Sequence, residues 1–167
     1  MGRLRRGALC GWAALLVLTA APARADDFRP DDFRRGLTAY NRAEYAESVR
    51  LWRPLAENGN PDAQSGLGYL YYHGLGVRQD YAAAADWFRQ AAEQGQPDAQ
   101  LFLGTLFYNG IGVGQSYVQA FKWCDLAQSN GASQAGPCRE AAQQRMSDPE
   151  LEESSRLVVE WFRRHPR

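Results

Sequence analysis

The side chains that could support metal or nucleophilic chemistry are few in this chain. Its 167 residues include three cysteines and two histidines, and no two cysteines form a C-x-x-C pair. A zinc site needs about four ligands held close together, so the sequence predicts no metal site. It also contains no nucleophile elbow, phosphate-binding loop or dinucleotide-binding motif. We therefore expect no cofactor and no catalytic residue.

Among the Gly-x-Gly pairs of the sequence, those at residues 74–76 and 110–112 have similar surroundings, and His73 stands directly before the first of these two. Such pairs hold phosphate only in a strand–turn–helix context. Here the second pair follows the first at a spacing of 36 residues, and much of the surrounding sequence recurs at the same spacing. This recurrence favours a turn within a repeated unit, in which His73 is a polar turn residue with Asn109 as its counterpart.

The repeat extends from the glycines in both directions. Residues 58–77 read NGNPDAQSGLGYLYYHGLGV, and residues 94–113 read QGQPDAQLFLGTLFYNGIGV. The same spacing continues through Tyr81 and Trp87. A fixed period of about 20–50 residues is typical of stacked repeat proteins.

Each unit is predicted to be a helix–turn–helix. Pro61 and Asp62 suit the first turn of a helix, because the missing N–H costs nothing there and the carboxylate meets the positive end of the helix dipole. Asp80 is the predicted N-cap of the second helix. Glycines end the helices, since glycine accepts positive φ. The predicted core positions of this unit are Ala63, Leu67, Leu70, Tyr71, Tyr81, Ala84, Ala85, Trp87, Phe88 and Ala91.

The repeated pattern is A-x-x-x-L-G-x-L-Y-x-x-G-x-G-V-x-x-D-x-x-x-A-x-x-W-x-x-x-A-A-x-x-G, and it resembles the Sel1-like repeat, a relative of the tetratricopeptide repeat. Residues 60–95 match it almost throughout. Residues 96–131 depart from it at Phe107, Ser116 and Gln128. The resemblance implies an all-α protein: an α/α solenoid of helix–turn–helix repeats, wound as a right-handed superhelix, that binds other proteins and has no shared chemistry.

A degenerate first unit is predicted at residues 32–59. In this alignment Gly36 and Tyr40 occupy the positions of Leu67 and Tyr71, and the turn between the helices is five residues shorter.

A C-terminal cap is predicted at residues 132–167, because the terminal repeat of a solenoid must cover an exposed core face. Ser147 and Glu150 have the spacing of a capping box and mark the start of its last helix, the capping helix.

Residues 1–25 have the composition of a secretory signal peptide. Three arginines precede an apolar run at residues 7–20, and Ala23-Arg24-Ala25 is a small-residue cleavage site. The run is too short to span a bilayer comfortably; an uncleaved anchor is the alternative. We expect residues 26–167 to form one repeat domain, periplasmic or secreted from a bacterium, with no stable membrane insertion.

Cleavage would also change the charge of the protein. It removes four arginines from 19 basic residues and none of the 19 acidic residues, which leaves a formal charge of −4. An acidic protein is poorly suited to nucleic acid or to an anionic membrane surface.

Two cysteines would remain, Cys124 and Cys138, each seven residues from Gly131. Because Gly131 joins two neighbouring helices, the two side chains should lie at similar height. In an oxidising compartment we predict a disulfide between them; two separate buried thiols are the alternative.

The corresponding positions of the two preceding hairpins hold Phe88 with Phe102, and Trp52 with Gly66. We therefore expect three successive hairpins to fill one equivalent contact with different side chains.

The binding surface is predicted on the first helix of each unit, which lines the inner curve of such a solenoid. Positions not needed for packing lie three or four residues apart and so share one helix face. Tyrosines on an open surface suit protein recognition, although they could instead pack between helices. The predicted partner-binding residues are Ser65, Tyr69, Tyr72, His73, Leu101, Thr105, Tyr108 and Asn109.

These features favour an exported interaction, scaffold or regulatory module whose partner is another protein. The resemblance also allows a hydrolase of cell-wall or β-lactam material, an activity attributed to cysteine-rich secreted relatives. This chain lacks their pattern of one cysteine pair per repeat.

N-terminal sequencing of the protein recovered from the producing bacterium tests the export signal. We expect the sequence to begin at Asp26, because signal peptidase cuts after a small-residue site. A chain that retains Met1, or that carries a lipid-modified cysteine, would contradict this prediction.

Overall fold

A computed structural model of the protein describes residues 31–166. The predicted signal peptide, including Cys10, lies outside them. In this part of the chain no helix has the length and hydrophobicity to cross a membrane. The described residues form eight α-helices and no strand: α1 (Asp32–Asn41), α2 (Tyr45–Glu57), α3 (Pro61–His73), α4 (Tyr81–Glu93), α5 (Pro97–Asn109), α6 (Tyr117–Ser129), α7 (Ala135–Gln143) and α8 (Asp148–Arg164).

The helices stack as an α-solenoid, as predicted. From α1 to α7 each helix packs on the one before it, and α5 also contacts α3 and α7. Tyr40 of α1 contacts Tyr69 of α3. The first helices of the units, α1, α3, α5 and α7, therefore follow one another along one side of the stack, which we call its inner side.

Polar side chains cap the helices of the repeats. Asp80 accepts hydrogen bonds from the backbone N–H groups of Ala82 and Ala83, which confirms its predicted role as an N-cap. The side-chain oxygens of Asn60 and Gln96 likewise accept from the backbone N–H groups of residues 63 and 99. The capped donors would otherwise lack partners at the helix start.

The two glycines of each Gly-x-Gly turn serve different purposes. Gly110 ends α5 with φ +68° in the left-handed region. Gly112 also has a positive φ, +69°, and its backbone lies against the start of α4, where a Cβ atom would collide with the carbonyl oxygen of Tyr81. The turn thus holds each unit against the preceding second helix.

One side chain from each second helix is inserted between two first helices. It lies against a glycine of the first helix of its own unit and against one residue of the next. The three sets are Gly36, Trp52 and Gly66; Gly68, Phe88 and Phe102; and Gly104, Cys124 and Cys138.

These contacts confirm the predicted equivalence of the three hairpins. The rings of Phe88 and Phe102 stack with their centroids 4.8 Å apart. A Cβ atom at Gly66 would lie 2.7 Å from the ring of Trp52, so no larger residue fits there without a shift. Cys124 and Cys138 form the predicted disulfide, with Cα atoms 5.9 Å apart.

The predicted alignment of the first unit is wrong by one residue. Gly36 packs on Trp52 as Gly68 packs on Phe88, so its counterpart is Gly68 and not Leu67. The counterpart of Tyr40 is then Tyr72. The turn of the first unit is therefore four residues shorter than that of the next, not five, and the tyrosine contacts agree: Tyr40–Tyr45 (5.5 Å), Tyr72–Tyr81 (5.3 Å) and Tyr108–Tyr117 (5.5 Å).

Most of the predicted core is buried, with exceptions among the aromatic residues. Tyr81 is exposed, and Trp87 and Tyr71 are only partly buried. Tyr81 lies at the start of α4, where its ring contacts Tyr72 at the edge of the stack. Arg53 donates a 2.7 Å hydrogen bond to the hydroxyl of Tyr71, which keeps that end of the side chain near solvent.

Two buried glutamines form polar links between units. Gln64 donates to the carbonyl of Ala56 at the end of α2, and Gln100 donates equivalently to Ala92 at the end of α4, both at 3.0 Å. Their side-chain oxygens accept from Gln94 and Asn130, respectively. Each buried amide thus adds a second hydrogen bond to a helix-end carbonyl that already accepts from the backbone N–H of the following glycine, Gly59 or Gly95.

The last helix begins with the predicted capping box of Ser147 and Glu150. It packs chiefly on α6 and extends across to the end of α4, where the Trp161 indole N–H donates to Glu93 at 3.1 Å. Below it, Lys122 lies 3.8 Å from the centroid of the Trp123 ring, and burial lowers the pKa of its ammonium group. The capping helix therefore covers second helices from outside.

Two alanine substitutions in one turn test how the repeats are locked together. Gly112→Ala should lower the free energy of unfolding by about 2–4 kcal/mol, because it combines a left-handed φ with a backbone collision. Gly114→Ala is the matched control, since its Cβ would meet nothing within 4 Å. Urea unfolding measures both; equal stabilities would contradict the packing of this turn on α4.

Reduction of the disulfide gives a second test. The link closes a loop of about 15 residues, so reduction should cost roughly 3 kcal/mol in the chain-entropy model. We expect a lower melting temperature with unchanged helical circular dichroism at room temperature. The double variant Cys124→Ala, Cys138→Ala should no longer respond to reductant. Titration of two free thiols in oxidised protein would rule out the pairing.

Candidate functional site

A groove lies on the inner side of the stack, where α1, α3 and α5 meet. It has a volume of about 200 Å³. We call it the aromatic groove, and its lining residues are Leu37, Tyr40, Trp52, Ser65, Gly66, Tyr69, Asp98 and Phe102.

The walls of the aromatic groove are aromatic rings that hold one another in place. Tyr69 makes edge contacts with Tyr40 at 6.0 Å and with Phe102 at 5.9 Å between ring centroids. Tyr40 stacks on Trp52, and Phe102 stacks on the fully buried Phe88. Every ring of the wall is thus fixed by at least one other ring.

The groove exists at this junction because of Gly66. The equivalent position of the next unit is Phe102, whose ring occupies the space between helices, and that of the cap is Cys138. With no side chain at residue 66, the ring of Trp52 forms the floor of the groove. Leu37 stands at its rim with 43% of its surface exposed, which is unusual for a large apolar residue beside a core.

The electrostatics of the groove are simple. Burial, followed by the interaction with Tyr69, raises the pKa of Tyr40 to about 12. Among the described residues that line the groove, Asp98 is the only charged one. It lies exposed in the first turn of α5.

The first set of predicted binding residues lies at or beside the groove. Ser65 and Tyr69 line it. Tyr72 is half-buried, with its ring 6.5 Å from that of Phe102 and 4.9 Å from that of His73. His73 is exposed, and its ring is 4.3 Å from that of Tyr69.

The second predicted set lies elsewhere in the fold. Leu101 packs against alanines of α6 and of the segment that leads into α7. Thr105 donates to the carbonyl of Leu101 and lies 4.0 Å from the sulfur of Cys138. Tyr108 contacts Tyr117, and Asn109 is exposed at the end of α5. None of these four residues lines the aromatic groove, and Leu101 and Thr105 lie instead at the junction with α7.

The sequence did not predict the groove residues that come from α1 and from the start of α5. Leu37 and Tyr40 come from α1, and with the correct alignment Leu37 is the counterpart of Tyr69. Asp98 and Phe102 are the counterparts of Asp62 and Gly66. A signal was present in the exchange of glycine for phenylalanine at an otherwise regular position.

A larger depression of about 540 Å³ lies in the turn after α3, lined by polar residues. Two of its polar side chains already have partners, since Gln79 donates to the carbonyl of Tyr72 and Asp80 caps α4. The described residues also contain no group of three or more histidines, cysteines or acids that could hold a metal ion. We therefore take the aromatic groove as the candidate site.

Comparisons with known proteins agree with this architecture. A family model of the Sel1 repeat matches residues 61–96 and 97–131, while no curated protein sequence matches the chain. A protective antigen present in uropathogenic Escherichia coli strains, with an SLR fold, superposes with a TM-score of 0.75 and 32% identity, covering 79% of this chain and 29% of that one. This chain therefore spans less than a third of the antigen's length.

A second solved structure is similar over most of its own length. It is a Sel1 repeat protein from Oxalobacter formigenes, with a TM-score of 0.60 and 34% identity over 65% of this chain and 85% of that one. The two repeats matched by the family model, together with this identity, show that the chain belongs to the Sel1 repeat family.

Proposed function

We propose that this protein is an exported interaction module that binds a segment of a partner protein in the aromatic groove. Sel1 repeats commonly serve as protein-interaction modules. The observation that supports the proposal best is an open, aromatic-walled groove formed by the first helices of three consecutive units.

The size of the groove favours a side chain over a small-molecule substrate. Pockets that enclose drug-sized ligands are about 300–1,000 Å³, whereas this groove measures about 200 Å³. It can therefore take one apolar side chain of a larger partner. Because aromatic contacts already fix its walls, binding requires little ordering of the protein itself.

Two features support the proposed export. The first 25 residues have the pattern of a signal peptide. The disulfide between Cys124 and Cys138 is of a kind that persists in oxidising compartments such as the periplasm.

Two matched substitutions of exposed apolar residues test the binding site. Leu37 lines the groove and is 43% exposed; Val159 lies on α8 and is 55% exposed. Peptides are selected from a displayed random library on the purified protein, and their dissociation constants are measured by fluorescence anisotropy. Leu37→Ser should weaken the selected peptides about five- to thirty-fold, the range of a hot-spot contact. Val159→Ser should leave their binding unchanged.

Both variants should keep the melting temperature of the parent protein, because each side chain is exposed. Equal affinities of the parent protein and Leu37→Ser for all selected peptides would contradict the proposed site. A library that yields no binding peptide would contradict the interaction role of this surface.

A further inference from the structure

We propose that the aromatic groove selects a partner segment in which an aliphatic or aromatic residue lies next to an arginine or lysine. This inference rests on the proposed function and specifies the chemistry of the partner. It combines the apolar lining of the groove with the charge at its edge.

The apolar half of the motif follows from the lining. Trp52 forms the floor, Tyr69 and Phe102 form the walls, and Leu37 stands at the rim. The rings of Tyr40 and Tyr69 are in edge contact, with their centroids 6.0 Å apart. The interior therefore offers mainly carbon surface. A polar side chain that entered it would lose its hydrogen bonds to water and gain few in return.

The basic half follows from Asp98. This carboxylate is exposed and has no ion-pair or hydrogen-bond partner among the described residues. It lies in the same lining as the rings of Tyr69 and Phe102. A cation seated there can pair with the carboxylate and also contact an aromatic face.

The cations on the neighbouring helix do not cancel this charge. On α1, Arg34 pairs with Asp31 at 3.2 Å and Arg35 pairs with Asp32 at 2.6 Å. An acidic partner segment would therefore meet Asp98 with no cation among the described residues that line the groove to offset the repulsion. A basic segment would meet an unpaired carboxylate beside the apolar anchor site.

The repeat supplies a matched control for Asp98. Asp62 is its counterpart, in the first turn of α3, and is also exposed and unpaired among the described residues, but it does not line the groove. Replacement of either carboxylate by an amide removes the same favourable interaction with a helix N-terminus. Only the Asp98 substitution should alter ligand selection.

Four synthetic peptides test the motif within the neutral flanking sequence of one peptide selected from the displayed library: they carry Leu-Arg, Leu-Gln, Leu-Glu or Ser-Arg at the pair that enters the groove. Dissociation constants are measured by fluorescence anisotropy at low salt with the full protein. We expect the Leu-Arg peptide to bind about two- to five-fold more tightly than Leu-Gln, as for an exposed ion pair. Leu-Glu should bind more weakly than Leu-Gln, and Ser-Arg weakest of all.

Variants then assign the preference to one carboxylate. Asp98→Asn should abolish the difference between Leu-Arg and Leu-Glu, and Asp98→Lys should reverse it. Asp62→Asn should retain it. Added salt should reduce the difference in the parent protein, because exposed charges are screened.

The possible failures are distinguishable. If Leu-Arg and Leu-Glu bind equally well, or if Asp62→Asn has the same effect as Asp98→Asn, the inferred motif is wrong and the groove still binds apolar segments. If no peptide containing leucine binds, the proposed function fails as well. A dimer of the protein that Leu37→Ser dissociates would mean that a second copy occupies the groove, and would also overturn the inference.

Discussion

The close approach of consecutive first helices around one inserted side chain is the constraint on which the rest of this structure depends. Trp52, Phe88 and Cys124 each lie against a glycine of their own first helix. A Cβ atom at any of these glycines would collide with the inserted side chain, so the helix spacing is set by the absence of a side chain. The turn glycines and the buried glutamines then fix each unit to the one before it.

The same contact also explains how similar repeats acquire different properties. The space available between units is similar, but it is filled by tryptophan with glycine, by two phenylalanines, or by a disulfide. With tryptophan and glycine, the side chain that fills the space comes entirely from the second helix, and the first helix of the next unit contributes none. The inner side therefore stays open there and forms the aromatic groove. The last replaces packing by a covalent bond at the junction with the shorter helix α7.

The sequence alone predicts the helices, the caps and the inserted contact, because glycine, proline and aspartate act locally and recur with the period. It fails where a property depends on the length of a turn. The shorter turn of the first unit shifts the alignment of Gly36 by one residue, and with that shift Leu37 is lost as the counterpart of Tyr69. The roles of Gln64 and Gln100 were equally hidden, since their partners are carbonyl groups at helix ends, which no side-chain pattern reveals.

The groove is too small to bind a partner by itself. Burial of one apolar side chain contributes about 1.5–3 kcal/mol, whereas association costs an estimated 4–15 kcal/mol. A partner anchored at Tyr69 must therefore gain further contacts along the inner side of the stack. Towards the C-terminus this side changes character, because Thr105 replaces the tyrosine and α7 packs on α5. The additional contacts are thus expected around Tyr72 and His73, whose rings continue from Tyr69 along α3 and remain accessible.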